Sequence, residues 1–245
     1  MFLLRIISRY YLLTLFSLSF NFFFSQEYDN VYIENNNIDE NNEIYKVGNV
    51  FIYDYEIINK DKKYKLKFNK GVTLNSEFEF TSIDSDSIGI DKIHMFVSSV
   101  VDSLRTNEGQ TQISFVLEPE FSSLSSTGVI ENERNVWIHQ IRKGFFNSLE
   151  TAPFPYIKKP YKIGNKWKDE MKIGQYWSNE LWRKWEGSLL LKYSYKLKRK
   201  VILKTTFNSN LECYLIESKA KSRIGVTKLK SYFSPQYGFV KFEYE

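Results

Sequence analysis

His94 and His139 are the only imidazoles and Cys213 is the only thiol among the 245 residues, so the groups that most often bind metals or act as nucleophiles stand singly. A closed zinc site needs three or four His, Cys or carboxylate ligands at short spacing. No metal, cofactor or catalytic residue is therefore expected, and Cys213 is read as a small core side chain. Asp84, Asp86 and Gly89 have the spacing that opens a calcium loop, yet Ile88 occupies a ligand position and Met95 stands where the bidentate Glu belongs. That segment is read as a plain turn. No nucleophile elbow, phosphate loop or dinucleotide fingerprint occurs.

Asp169, Glu170, Glu180 and Glu186 interleave with Trp167, Trp177, Trp182 and Trp185, and carboxylates beside Trp are what a sugar-cleaving groove uses. The plainer reading is solvated acids on elements whose aromatics form a core. Residues 136–193 hold all five tryptophans, three of the five prolines and His139. One buried Trp contributes on the order of 4–6 kcal/mol before the compactness of the unfolded chain is discounted. The densest core, or an apolar cleft, is expected here. Trp137, His139, Arg142, Phe154, Trp167 and Trp177 are its candidate ligand-contacting residues, with His139–Arg142 read either as an anion contact or as a structural polar pair at a sheet edge.

Residues 1–25 read as an export signal, with Arg5 and Arg9 before an uncharged Leu- and Phe-rich run from 10 to 24. The run is short for a spanning helix. Cleavage is expected near Ser25-Gln26, although Phe23 suits that site poorly, and an uncleaved anchor is the alternative. Without Arg5 and Arg9 the formal charge of +5 falls to +3, too mild to argue for nucleic acid. A single cysteine excludes an internal disulfide. Residues 26–44 are acidic and Asn-rich with little to bury, and read as a flexible leader. Residues 45–245 read as one β-rich domain.

Phe51, Tyr53, Tyr55 and Ile57 share a face at period two, and Tyr64, Leu66 and Phe68 alternate with Lys63, Lys65 and Lys67 across an Asn59-Lys60-Asp61 turn. The lysines are read as a solvated face that deters edge pairing, over a patch for anionic lipid or polysaccharide. Strands are expected at 72–83, 92–102 and 112–117, the second also scoring as a helix over 93–104, followed by a Ser-rich loop at 121–128. Pro153, Pro155 and Pro160 predict a stiff arm outside the hydrogen-bonded ladder, closing one mouth of a sheet as a plug or as a lid. Later strands are expected at 187–199, 201–207, 211–217, 225–234 and 237–244, and Lys192, Lys196, Lys198 and Arg199 are read as solvated, with lipid headgroups as the alternative. The seven residues YKVGNVF at 45–51 recur as YKIGNKW at 161–167, so each half of the domain is expected to open with one kind of turn.

The closing YFSPQYGFVKFEY, within 228–244, resembles the last hairpin of the LolA/LolB lipoprotein-carrier β-clams, and the whole pattern resembles exported proteins of Gram-negative envelopes. That resemblance implies a mainly β fold: a single curved antiparallel sheet, a β-clam or open half-barrel, closed by the Pro/Trp-rich segment and one or two helices around an apolar cavity. The expected protein is exported to the periplasm or outer envelope, or is anchored if the signal is retained. Its expected role is non-enzymatic, with a lipid or other amphipathic ligand. The alternatives are an envelope protein partner and a polysaccharide hydrolase.

Overall fold

The computed structural model describes residues 31–34, 38–68, 78–86, 89–119 and 123–245. The expected export signal and residues 72–77 of one expected strand lie outside them. The strands are β1 (Val50–Asp54), β2 (Ile57–Asn59), β3 (Lys62–Phe68), β4 (Phe78–Ser82), β5 (Lys92–Ser98), β6 (Thr111–Glu118) and β7 (Ser123–Glu131). They continue with β8 (Asn135–Ile138), β9 (Tyr156–Lys158), β10 (Lys166–Ile173), β11 (Leu189–Leu203), β12 (Leu211–Ser222), β13 (Gly225–Ser234) and β14 (Gly238–Tyr244). One longer helical segment, a 3₁₀ helix at Gly144–Thr151, precedes β9.

The chain is mainly β and antiparallel. Its six-stranded sheet, ordered β1-β5-β6-β7-β8-β9, is the expected open, strongly curled half-barrel. Beside it stand a five-stranded sheet, β10-β11-β12-β13-β14, and a three-stranded ribbon, β2-β3-β4. Period-two burial builds both larger sheets: Ile113, Phe115 and Leu117 are buried on β6, and Leu189, Leu191, Tyr193, Tyr195 and Leu197 on β11. The two inner faces share one core, in which Tyr156 of β9 meets Trp167 and Tyr195 of the other sheet edge-on.

The seven-residue echo is a structural repeat. Gly48 and Gly164 take φ of +93° and +91°, a region that glycine enters without steric cost. The Gly48 amide donates to the Val97 carbonyl at 2.9 Å and the Gly164 amide to Leu197 at 2.8 Å, while Val97 and Leu197 donate back to Asn49 and Asn165 at 3.0 Å. Each turn launches the first strand of a meander, β1 onto β5 and β10 onto β11. The halves run in the same order, and each carries an insertion after its first strand. In the first half this is the ribbon β2-β3-β4; in the second it is the loop 174–188.

Several boundaries differ from the sequence reading. From Ser123 on, the Ser-rich stretch is strand β7, because Ser and Thr there pair across the sheet, as Ser114 and Ser126 do at 3.0 Å; residues 121–122 lie outside the described residues. Residues 92–98 are strand, and only Asp102–Leu104 makes a helical turn. The strands expected at 187–199 and 201–207 are one strand, with a bulge between Leu197 and Arg199. The extra residue shifts the parity of β11, so that Arg199, Val201 and Leu203 pair with Leu215, Cys213 and Leu211, which by the alternation of β12 are buried on the side of the sheet away from Ile216 and the main core. The proline arm is also a ladder member: Tyr156–Lys158 pairs with Asn135–Trp137 as an edge strand, and Pro155 and Pro160 flank it without occupying a donor position.

The leader does not stay free through residue 44. Asn42 and Ile44 are buried, and Arg105 grips Asp39 with two hydrogen bonds of 3.0 and 2.8 Å. The buried Glu131 carboxylate accepts the amides of Ile44 and Tyr45. Paired backbone donors offset the ordering cost that composition alone would leave uncompensated.

Candidate functional site

Of the six candidate residues, Trp137, Phe154 and Trp167 are core. Trp167 is 3% exposed and stacks on Tyr195 with centroids 5.4 Å apart, and Phe154 lies 5.2 Å from Trp137 and 6.1 Å from Tyr193. The arm therefore plugs the space between the sheets and does not roof a cleft. His139 is buried as well, its Nδ1–H donating to the Gln140 carbonyl at 2.8 Å. Burial, and then the charge of Arg142, lower its pKa to about 3 and keep it neutral. Its 3.7 Å approach to Glu150 is thus not an ion pair. The buried Glu150 accepts from Arg142 Nε at 2.8 Å, and desolvation still holds its carboxyl above the ordinary value.

Arg142 and Trp177 lead outward. The guanidinium lies 4.9 Å over the Trp177 ring. Trp177 is half-buried, and Trp182 Nε1 donates to its carbonyl at 3.3 Å. Phe145, from the 3₁₀ helix, packs edge-on at 5.0 Å against Phe80 and at 6.4 Å against Trp182. The two insertions, ribbon and loop, therefore meet through Phe145. They leave large apolar groups in solvent: Phe80 is 46%, Leu181 64% and Tyr176 83% exposed. Apolar groups scattered singly are ordinary on a surface, whereas a group of them at one end of the fold is a candidate contact surface. Phe80, Phe145, Tyr176 and Leu181 were not singled out from sequence, and Trp182 was marked only as one of the tryptophans beside the acids. The available signal was an aperiodic aromatic run between Gly174 and Gly187, which cannot be a buried strand.

Beside this tip the outer face of the five-stranded sheet is basic. Period two puts Lys166, Lys168 and Lys172 of β10, Lys192 and Lys196 of β11, and Lys219 and Lys221 of β12 opposite the core-facing side chains. Register sets like charges directly across from one another: Lys166 against Lys196, Lys192 against Lys221, and Lys219 against Lys228. Such pairs destabilise a sheet. Carboxylates answer part of the charge: Glu170 stands opposite Lys192 and Glu217 opposite Lys196, with Glu217 bonded to Lys198 at 3.0 Å, and at the far edge Lys228 pairs with Glu245 at 2.7 Å and Lys241 with Glu243 at 2.6 Å.

The acids that suggested a hydrolase do not converge. Asp169 and Glu170 are consecutive on β10, so they point to opposite faces of the sheet. Glu180 is fully exposed and bonded to Lys184 at 2.7 Å, which holds its carboxyl below the ordinary value. Two carboxyls flanking one glycosidic bond need a common face and a fixed separation. This arrangement supplies neither.

Comparison with family models, with curated proteins and with solved structures gave no match. These comparisons neither support nor refute the resemblance expected for residues 228–244, which form the pairing of β13 with β14.

Proposed function

We propose that the chain is an exported, non-catalytic envelope protein that docks on an anionic membrane surface, with the aromatic tip entering the interface and the lysine-rich sheet face against the headgroups. The observation that carries this reading is the meeting of two separate insertions in one exposed aromatic tip beside a sheet face that places lysines directly opposite lysines. Trp and Tyr favour the boundary between water and hydrocarbon, where an apolar ring and a polar edge are both accommodated. Lysines near an anionic leaflet contribute about 1 kcal/mol each. The amphipathic partner expected from the sequence thus becomes a surface, because the aromatics that would line a cleft are packed core.

Sedimentation with vesicles tests the reading. Full-length mature protein should pellet with vesicles containing phosphatidylglycerol and remain in solution with phosphatidylcholine alone. Replacing Tyr176 and Leu181 together by Ser should release it without lowering its melting temperature, since both lie largely in solvent. Equal pelleting of that variant, or none by the natural protein at low salt, would sink the proposal.

A further inference from the structure

The basic face ends, next to the loop 174–188, in an open groove of about 420 Å³. Lys192, Lys221 and Arg223 line it together with Leu190, Val226 and the Ser222–Gly225 turn, and none of its lining residues is acidic. Lys192 and Lys221 are direct cross-strand partners, so the antiparallel ladder holds two ammonium groups on one face within reach of a single anion. Arg223 is fixed by donating to the Glu186 carbonyl of the loop, which draws its guanidinium to the same end of the sheet. Leu190 is 42% and Val226 51% exposed, an apolar wall on either side of the cations.

We infer that this groove is a headgroup site for a single phosphate-bearing anionic amphiphile, with the phosphate on Lys192, Lys221 and Arg223 and the first part of the acyl chain along Leu190 and Val226. Two features favour this class over a simple anion. Three cations against the one carboxylate in register with them, Glu170 opposite Lys192, leave a net positive site that matches a phosphate carrying no compensating ammonium better than a zwitterionic headgroup. The flanking Leu and Val offer nothing to inorganic phosphate but gain by covering a chain. The β10–β11 loop connects the groove with the tip, so a lipid held here would extend into the same interface. The inference rests on the docking reading, yet it can be tested without vesicles.

Isothermal titration of the mature protein with dihexanoyl phosphatidic acid, kept below its micelle concentration, should give saturable binding of one molecule. The Lys192→Gln/Lys221→Gln variant should weaken it by about tenfold or more, in line with two lost charge-assisted contacts. Inorganic phosphate and dihexanoyl phosphatidylcholine should each bind at least about tenfold less tightly than the phosphatidic acid. No saturable binding, or no effect of the double variant, overturns the site. Phosphate binding as tightly as the amphiphile also overturns it, leaving only an anion contact. Vesicle docking that survives while the monomeric amphiphile fails to bind removes the groove and keeps the docking; saturable binding without vesicle docking does the reverse.

Discussion

At the scale of residues the interior is unusual in its polar content. Glu150, His139, Tyr193 and Tyr195 lie buried among aromatics, and burial raises the pKa of both tyrosines as well as that of Glu150. The pH dependence follows from the two signs. His139 titrates at about 3 when folded against 6.5 when free. Between those values only the unfolded chain takes the proton, so stability falls as pH drops, by at most about 1.4 kcal/mol per unit. Glu150 works the other way: its folded pKa is raised, so its contribution is present at low pH and is lost as pH rises past 4.5. Urea midpoints measured from pH 7 to pH 4 should therefore fall less steeply for His139→Gln than for the natural protein, and more steeply for Glu150→Gln. Identical slopes would mean that neither group is held as described. Trp167→Ala should cost about 3–5 kcal/mol, as truncation of a packed core Trp does. A loss below about 1 kcal/mol, read from the same denaturation curves, would place Trp167 at a cleft after all.

Elements show how far local chemistry reached. The hairpin of β2 and β3 was legible because Lys60 and Asp61 take φ of +49° and +65°, the two-residue turn that suits a right-twisted ribbon, and because Leu66 is buried between lysines. Strand β7 was not, since Ser, Thr and Gly carry no periodic apolar signal. Its partners across the sheet, not its own side chains, put it in the ladder. The bulge in β11 was equally hidden: a face switch caused by one extra residue looks in sequence like two short strands. For the site, Arg142 and Trp177 could be marked as chemically apt, but Phe80 of the ribbon meets Phe145 across 65 residues of chain, a distance that composition cannot bridge. The repeated turn, by contrast, was visible as seven matching residues, and its equivalence makes a prediction. A Cβ at Gly48 or Gly164 meets nothing within 4 Å, so Gly→Ala at either should cost only the backbone term, about 1–2 kcal/mol, equal at the two positions and additive when combined. Markedly unequal costs in thermal unfolding would show that the two turns do not do the same job.

Considered as a whole, the molecule is two meanders closed on one core, each with an insertion after its first strand. Such a fold leaves its outer residues free to be chosen for solubility or for a partner. Stability can tell these apart. Were the lysines merely solvating, cross-strand partners of opposite charge would serve equally well and hold the sheet better, by about 0.2–1 kcal/mol per pair. Register shows the less stable choice at Lys192 and Lys221, since Lys192 has Glu170 opposite it on one side but Lys221 faces only Lys192 and Val226. Lys221→Glu replaces a repulsive pair by an attractive one, with Val226 on its other side and no carboxylate in register with it. The variant should therefore unfold at higher urea than the natural protein in low salt, the gain shrinking as salt shortens the screening length to about 8 Å and below. The same variant should pellet less with anionic vesicles. These opposite signs are the expected mark of a face kept basic for a partner at the expense of the sheet. A variant that loses stability, or that gains it while sedimenting as before, would mean that the paired lysines serve no anionic surface.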